Sequence, residues 1–427
     1  MEEKRIAKNG IPVFSLKNEH SHSFFISMFL KSGSMYESES DAGITHFFEH
    51  VAIRNVNAAM NGALYGMLDK YGMEFNASTF SEMVQFYISG SSSNFRVAAD
   101  IASRLLSPIS LPKSEIDAER ARIKAEIREA DDKSSLAGFT AGEVWHGTPL
   151  SRTITGTVGS VSKITATRLE KYRRSVFSKD NLFFYITGNV RDEDIEYLCE
   201  LIGSYRLSDG EVHGNIAAVP EDFGRRPSGV RVKNADFTKI KYSFDVDMTL
   251  VSSQELDLIY DTVLGGYSAD FFIELSEKRG LFYDLGGTAE RYKNVGVLSF
   301  SYELREPRLY EAAQMTLDLL RRYAEAPIDE DKCMRACYVD NAYMLFDDVR
   351  ELNFTFGYDN HVLNLGYSDI EDRKRAYAAI TPDRLCEVAG IIFRPENMTV
   401  TLKCNKKKTD IQRLNRILFG KDFEDGF

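Results

Sequence analysis

Hydrophobic and polar positions along the chain follow two different periods. Strand-like apolar runs occupy Ser23 to Leu30 and Val84 to Ile88, whereas Glu115 to Ala130 shows a helical pattern. Short apolar runs are typical of strands, and recurrence every three to four residues is typical of helices. Because the two kinds of segment alternate, the pattern predicts an α+β fold with helices packed on mixed or antiparallel sheets.

An internal repeat shows that this pattern occurs twice. At an offset of 216 residues, six identical pairs fall within 18 positions: Ile164/Ile380, Thr165/Thr381, Arg168/Arg384, Leu169/Leu385, Phe177/Phe393 and Asn181/Asn397. Each copy reads as a capped helix, a turn and an apolar strand, Leu182 to Thr187 in one and Met398 to Lys403 in the other. The repeat predicts two homologous domains of about 200 residues each, a common domain size.

A linker is predicted between the two copies. Residues 206–229 contain two prolines and four glycines and show little apolar periodicity. The predicted boundaries are therefore an N-terminal domain at 1–206, a linker at 207–228 and a C-terminal domain at 229–427.

Composition narrows the class of protein. The chain has 427 residues with 53 Lys+Arg and 64 Asp+Glu, a formal net charge of −11, which argues against a nucleic-acid binder. The first ten residues lack the apolar segment of a signal peptide, and no apolar run approaches a membrane span. The five cysteines include no pair of C-x-x-C motifs. These features predict a cytoplasmic protein with free thiols and without a membrane partner.

The strongest chemical signal is the segment His46-Phe47-Phe48-Glu49-His50. Residues four apart lie on one helix face, roughly 6 Å apart along the axis, so two imidazoles can bind one cation. Glu49 lies on the same side, close enough to hold a water bound to that cation. This H-x-x-E-H order suits a zinc ion with an open fourth position. The alternative is a helix with two half-buried histidines and no metal.

A catalytic zinc needs a third protein ligand, and an acidic helical segment offers two. Glu119 and Glu126 are seven residues apart and share a helix face. Charged helix faces are usually only solvated, so the residues alone leave open whether either glutamate binds metal.

The chain resembles the pitrilysin-type zinc metallopeptidases, in the branch that includes mitochondrial processing peptidase. The similarity covers these segments: Asn9-Gly10-Ile11-Pro12-Val13, Gly33-Ser34 with Glu37, Gly43-Ile44, the H-x-x-E-H segment, Asn76-Ala77-Ser78-Thr79, the Glu119 to Glu126 helix, Pro149-Leu150 and Gly156-Thr157. In that family the third ligand follows the last histidine by about 76 residues. Here 126 − 50 = 76, so the resemblance implies one zinc ion held by His46, His50 and Glu126.

The resemblance also implies roles for residues around the zinc ion. Glu49 is the general base, and Glu119 supports catalysis without binding the zinc ion itself. Asn76 and Ala77 lie on an edge strand that pairs with an extended peptide. Tyr283 contacts the substrate from the second domain. At an offset of 208, the second half has Gln254, Asp257 and Leu258 at the motif positions, which predicts no second zinc site there.

One departure from the family concerns the second domain. Active relatives usually carry an Arg/Tyr pair in a pattern like L-R-E-x-x-G-L-x-Y, but here Ser276 stands at the arginine position. Arg279 is three positions further on and is expected to point elsewhere on a helix. We therefore expect a zinc endopeptidase for short or unfolded peptides, including precursor peptides. Its partner is expected to be a homologous subunit that supplies the missing pair, or a second copy. The alternative is a peptide-binding or scaffold subunit with weak or no catalysis.

Overall fold

The structure is a computed structural model. It describes residues 1–130, 136–208, 210, 228–232, 237–265, 267–282, 285–292, 294–344, 347–405 and 407–420. Tyr283 and most of the predicted linker at 207–228 lie outside the described residues, so their predicted roles stay predictions.

The described residues form eleven strands and fifteen α-helices. The strands are β1 (Glu3–Ile6), β2 (Pro12–Lys17), β3 (Ser23–Leu30), β4 (Glu74–Thr79), β5 (Val84–Ser91), β6 (Leu182–Gly188), β7 (Ser228–Val232), β8 (Thr238–Asp247), β9 (Leu285–Arg291), β10 (Val295–Leu304) and β11 (Met398–Asn405). The predicted strands at 23–30 and 84–88 correspond to β3 and β5.

The helices are α1 (Ile44–Ala59), α2 (Leu64–Tyr71), α3 (Phe95–Ser103), α4 (Lys113–Ala130), α5 (Leu136–Val144), α6 (Val158–Lys163), α7 (Ala166–Val176), α8 (Asp192–Gly203), α9 (Ser253–Val263), α10 (Leu309–Glu325), α11 (Glu330–Tyr343), α12 (Arg350–His361), α13 (Ile370–Ala378), α14 (Pro382–Ile392) and α15 (Ile411–Phe419). A π-helix covers Phe272–Glu277. None of the helices in the described parts of the chain has the length and hydropathy that crossing a bilayer requires.

The chain divides into two compact units, each assembled from three segments. The first unit comprises Met1–Asp131, Arg152–Ile216 and Met344–Asp369, and the second comprises Asp132–Ser151, Ala217–Tyr343 and Ile370–Phe427. The two-domain α+β fold is therefore confirmed. The predicted boundaries treated each domain as continuous, whereas residues 132–151 and 344–369 belong to the unit of the other half.

The two sheets have matching topologies. In the first unit the strand order is β1-β2-β6-β3-β5-β4, and in the second it is β7-β11-β8-β10-β9. Each sheet has a single parallel pair among its described strands, β2 with β6 and β7 with β11, and the other pairs are antiparallel. Without β1, the first order maps strand by strand onto the second. In both units the strand at one end of the sheet, β4 or β9, is an edge strand.

The repeat found in the sequence appears in the same local contacts. Helices α7 and α14 begin after Thr165 and Thr381, whose side chains accept hydrogen bonds from Arg168 N and Arg384 N. After each helix, an asparagine amide binds the helix end: Asn181 Nδ2 donates to Val176 O, and Asn397 Nδ2 donates to Ile392 O, both at 3.2 Å. These pairs are 216 residues apart, as the repeat predicts.

Candidate metal centre

Helix α1 carries the H-x-x-E-H segment, and a buried carboxylate fixes its first turn. Gly43 precedes the helix with φ of +89°, and a Cβ there would lie 2.5 Å from Thr155 O, so only glycine fits. The Glu37 carboxylate accepts hydrogen bonds from Gly43 N and Thr45 N, each at 2.8 Å. It thereby satisfies two of the free N–H groups at the helix start. Burial raises the pKa of Glu37 to about 7, although these bonds oppose the shift.

The raised pKa of Glu37 predicts a measurable pH dependence of folding. Because the folded chain binds this proton more tightly than the unfolded chain, stability is greatest below pH 4.5 and is lost as pH rises towards 7. The loss attributable to Glu37 is about 3 kcal/mol, from a shift of about 2.5 pH units at 1.36 kcal/mol each. We expect the wild type to lose about this much relative to Glu37→Gln in urea unfolding of chelator-treated protein. Exposed Glu39→Gln is the control, and parallel profiles for all three proteins would contradict the prediction.

His46 and His50 occupy one face of α1, as their spacing predicts. Their ring centroids are 4.7 Å apart. Phe47 and Phe48 point into the hydrophobic core with no exposed surface. Burial, with a smaller contribution from His50, lowers the pKa of His46 to about 4. His46 is therefore neutral near pH 7, the form of imidazole that binds metals.

Helix α4 brings the two predicted glutamates against these histidines. His50 Nε2 lies 3.6 Å from Glu126 Oε2, and His50 Nδ1 lies 3.1 Å from Glu119 Oε2. Donor atoms of His46, His50 and Glu126 all lie within 4.8 Å of one another, and this is the only such cluster found among the described residues. The geometry thus separates the two glutamates: Glu126 joins the histidines, and Glu119 lies behind His50.

Glu119 is held by Arg54, a cation on α1 that no sequence pattern connects with the site. Arg54 Nε donates to Glu119 Oε1 at 2.6 Å, and Arg54 also pairs with Glu115. Burial alone would raise the pKa of Glu119, but the hydrogen bonds from His50 and Arg54 lower it below its ordinary value. Since an ionised carboxylate can only accept a hydrogen bond, His50 Nδ1 is the donor to Glu119, and Nε2 is the His50 atom that faces Glu126.

Glu49 lies beside the cluster with its carboxylate almost fully buried. It is 8% exposed, and Thr79 at the end of β4 donates its hydroxyl hydrogen to Glu49 Oε2. Burial raises the pKa of Glu49; the Thr79 bond opposes this shift, and the charge of Glu126 adds to it. Thr79 therefore fixes one carboxylate oxygen and leaves the other for a reacting group. The sequence placed Thr79 within a family motif but gave it no role.

The cluster fits a zinc ion by its donor chemistry. Nδ1 of the His46 ring is buried and has no hydrogen-bond partner in the described part of the chain. Burying a nitrogen without a partner lowers the free energy of unfolding by roughly 1–3 kcal/mol. The cluster would therefore destabilise the chain if it held no metal. Two imidazoles and one carboxylate form the usual protein donor set of a catalytic zinc, with one position open.

The predicted substrate residues lie on the edge strand β4. Asn76 and Ala77 pair with Tyr87 and Phe86 of β5, and the opposite side of β4 has no neighbour in the described sheet. The structure therefore brings His46, Glu49, His50, Glu119 and Glu126 together at α1 and α4, next to the strand of Asn76 and Ala77.

The second unit uses Ser276 and Arg279 for contacts of its own. Ser276 Oγ donates to Phe282 O at 3.2 Å, and the exposed Arg279 pairs with Glu311 at 3.3 Å. Ser276 and Arg279 thus contact different residues. Asp257, at a position equivalent to the zinc motif, accepts from Tyr377, and Leu258 is buried.

Comparison with known proteins gives the family. Residues 13–158 match the family described as Insulinase (Peptidase family M16), and residues 163–337 match the Peptidase M16 inactive domain. The chain belongs to peptidase family M16. The two M16 matches together cover most of its length, and they confirm the resemblance to the pitrilysin-type metallopeptidases.

Individual M16 relatives agree with this assignment. An uncharacterized zinc protease of Rickettsia bellii is 26% identical over 332 residues, which cover 76% of this chain and 78% of that protein. The mitochondrial-processing peptidase subunit beta of Lentinula edodes is 27% identical over 194 residues, 45% of this chain and 42% of that one. A protease from Helicobacter pylori has the same fold, with a TM-score of 0.82 at 17% identity, covering 95% of this chain and 99% of that chain. This M16 chain is thus similar to proteins named as zinc proteases.

Proposed function

We propose that the chain is a zinc-dependent endopeptidase that cleaves short or unfolded peptides, precursor peptides among them. The observation that carries this proposal is the convergence of His46, His50 and Glu126 donors within 4.8 Å, with the buried carboxylate of Glu49 beside them. Mass spectrometry of casein peptides after incubation with the chelated and the zinc-restored protein tests it. Internal cleavage only with zinc is expected, whereas equal cleavage without zinc would contradict it.

In the proposed mechanism, His46, His50 and Glu126 hold the metal. A bound zinc ion supplies a Lewis acid that lowers the pKa of water and polarises a peptide carbonyl. Glu49 accepts a proton from the attacking water through the carboxylate oxygen that Thr79 leaves free, and later passes a proton to the leaving amine. Glu119 orients the His50 ring through Nδ1 and is itself held by Arg54.

The backbone of β4 supports binding of an extended peptide in a defined register. The pairing register of β4 and β5 continues to Phe80 and Met83, and Phe80 N donates to Met83 O there. Because hydrogen-bonded pairs alternate in an antiparallel ladder, the N–H of Ala77 points away from β5. It contacts the Asn76 Oδ1 atom at 2.9 Å. A peptide strand added at this edge would replace that contact with one of its own carbonyl groups.

This register predicts an asymmetric effect of proline substitutions in β4. Ala77→Pro removes an N–H that β5 does not use, and proline is tolerated on edge strands. We expect folding and zinc content to persist while KM for a peptide substrate rises about fivefold, since one hydrogen bond is worth about 1 kcal/mol. Ser78→Pro, which removes a ladder bond to β5, is expected to lower the unfolding temperature instead. An unchanged KM for Ala77→Pro would show that peptides do not pair with this edge.

We further propose that the chain is the zinc-bearing member of a dimer whose homologous partner supplies an Arg/Tyr pair. Ser276 stands at the family's arginine position, and its hydroxyl donates to Phe282 O in the same unit. A relative is named as the beta subunit of a peptidase, which supports a two-subunit arrangement. Co-purification with the product of a neighbouring homologous gene tests this. High peptidase activity of the solitary monomer would contradict it.

A second candidate function is a peptide-binding subunit with little or no catalysis. The absent arginine favours it, because a positively charged contact for the substrate is missing from the family pattern. The intact Glu49 and its Thr79 contact disfavour it. Zinc content measured beside turnover separates the two functions: stoichiometric zinc with peptide binding but no cleavage, even with the partner present, would support the second.

We also propose a reducing, cytoplasmic compartment, which is supported by the absence of a disulfide among the five cysteines, all of them within the described residues. Cell fractionation is expected to place the chain with cytosolic markers. Recovery in the secreted fraction would contradict this proposal.

A further inference from the structure

One face of helix α12 reaches both ends of the hairpin that contains β4. Arg350 Nη2 donates to Glu74 Oε2 at 2.6 Å, where β4 begins, and Tyr358 Oη donates to Glu82 Oε2 at 2.6 Å, in the turn after β4. Between them, the Phe354 ring lies 5.7 Å from the ring of Phe80. Arg350, Phe354 and Tyr358 are spaced i, i+4, i+8 and so share one helix face. We call these three residues the α12 stripe.

The remaining buried face of α12 is fixed on the central strands of the same sheet. Asn353 Nδ2 donates to Phe25 O at 3.1 Å and to Tyr185 O at 3.0 Å. At Gly357 a Cβ would lie 2.7 Å from the Phe29 ring, so the helix backbone lies directly on β3. The helix is therefore anchored to β3 and β6, and its stripe extends from that anchor to the edge strand.

The contacts at each end of β4 are strengthened by neighbouring groups. The Arg350 guanidinium lies 5.4 Å from the ring centroids of both Phe25 and Tyr87, and Tyr87 Oη donates to Glu74 Oε1 at 3.0 Å. At the other end Glu82 is 5% exposed. An edge strand has a hydrogen-bonded neighbour on one side only and is free to shift or fray. Side-chain contacts at both ends restrict that freedom.

We propose that the α12 stripe is a positioning element that keeps β4 extended and in register to receive a peptide backbone. The inference rests on the proposed peptidase function and adds positioning residues that act through β4 rather than on the metal. Loss of the stripe contacts would let β4 fray, so the stripe determines how tightly a peptide binds and leaves the chemical step unchanged.

The test compares the Arg350→Gln/Tyr358→Phe double variant, the Tyr358→Phe single variant and the control Glu351→Gln, whose exposed side chain is next to Arg350 on the same helix. Amide hydrogen exchange is measured for residues 74–79 and, as an internal reference, for α1. Affinity for fluorescein-labelled casein peptides is measured by anisotropy with Glu49→Gln added to each protein. KM and kcat for cleavage of the same peptides are measured with Glu49 intact.

We expect exchange at 74–79 to rise at least threefold in the double variant, with unchanged exchange in α1 and unchanged zinc content. Peptide affinity should weaken and KM should rise about three- to tenfold at constant kcat, the effect of losing one exposed and one part-buried contact. The Tyr358→Phe variant should show a smaller shift and Glu351→Gln none.

Unchanged exchange at 74–79, or an equal rise in exchange throughout the first unit, would overturn the proposal. A fall in kcat without a change in KM would also overturn it. If the parent protein binds no peptide at all, the proposed function fails, and the exchange at 74–79 still decides whether the stripe holds β4.

Discussion

Glu49→Gln is expected to lower kcat for peptide cleavage by about 10²- to 10⁴-fold while the zinc content stays unchanged. The substitution keeps the size of the side chain and removes only its ability to take up a proton. Glu49 is buried beside His50, and its carboxylate accepts a hydrogen bond from Thr79, so a glutamine carbonyl can keep that contact. The loss should therefore appear in the chemical step and not in folding.

The measurement for Glu49→Gln is steady-state cleavage of an unstructured peptide, with zinc determined by mass spectrometry in the same sample. Glu39→Gln, in an exposed position on the same unit, serves as the matched control and should retain full activity. Turnover of the Glu49 variant within threefold of the wild type would remove Glu49 from the role of general base. Loss of zinc together with activity would assign it to metal binding instead.

Glu126→Gln is expected to weaken zinc binding by on the order of 10²- to 10³-fold and to abolish cleavage at submicromolar free zinc. Apparent zinc-binding free energies of about 10–16 kcal/mol for four ligands correspond to roughly 2.5–4 kcal/mol for each one. Glutamine keeps the shape of the side chain but carries no charge. Glu129→Gln is the matched control, because Glu129 is exposed on the same helix.

Glu119→Gln is expected to weaken zinc binding less than Glu126→Gln does. Its carboxylate orients His50 and does not belong to the three-residue cluster, so the expected loss is only about 10- to 100-fold. Competition with a chromophoric chelator measures the zinc affinities of the wild type, Glu119→Gln and Glu126→Gln. Equal losses for Glu119→Gln and Glu126→Gln would contradict the separation of the two glutamates into an orienting residue and a ligand.

Local sequence patterns predicted the elements that carry the site. The i, i+4 spacing of His46 and His50 requires a helix for both rings to meet, and α1 is that helix. The strand Ser23–Leu30 was predicted with its observed bounds, because eight apolar-rich residues between turns admit few alternatives. The repeat at offset 216 extends to the helix caps, because the side chains of Thr165 and Thr381 each accept a hydrogen bond from the backbone N–H of the third residue after them.

Long-range packing could not be read from these patterns. An amphipathic helix shows which face is buried but not against which sheet, so nothing in residues 344–369 indicated that α12 packs on β3 and β6. The choice of Glu126 over Glu119 likewise came from family spacing, because both residues share one helix face. Arg54 contacts Glu119, which is 65 residues away in the sequence, and Thr79 contacts Glu49, which is 30 residues away. Glu37 binds N–H groups that are 6 and 8 residues away. No local signal connects such pairs.

The central claim is that the first unit holds one zinc ion through His46, His50 and Glu126, and X-ray absorption at the zinc edge tests it most directly. Protein loaded with zinc and freed of excess metal should contain one zinc per chain. Its spectrum should fit two imidazole nitrogens near 2.0–2.1 Å with oxygen donors completing the shell, as is usual for such ligands. Sulfur scattering, a single imidazole, or zinc well below one per chain would contradict the account.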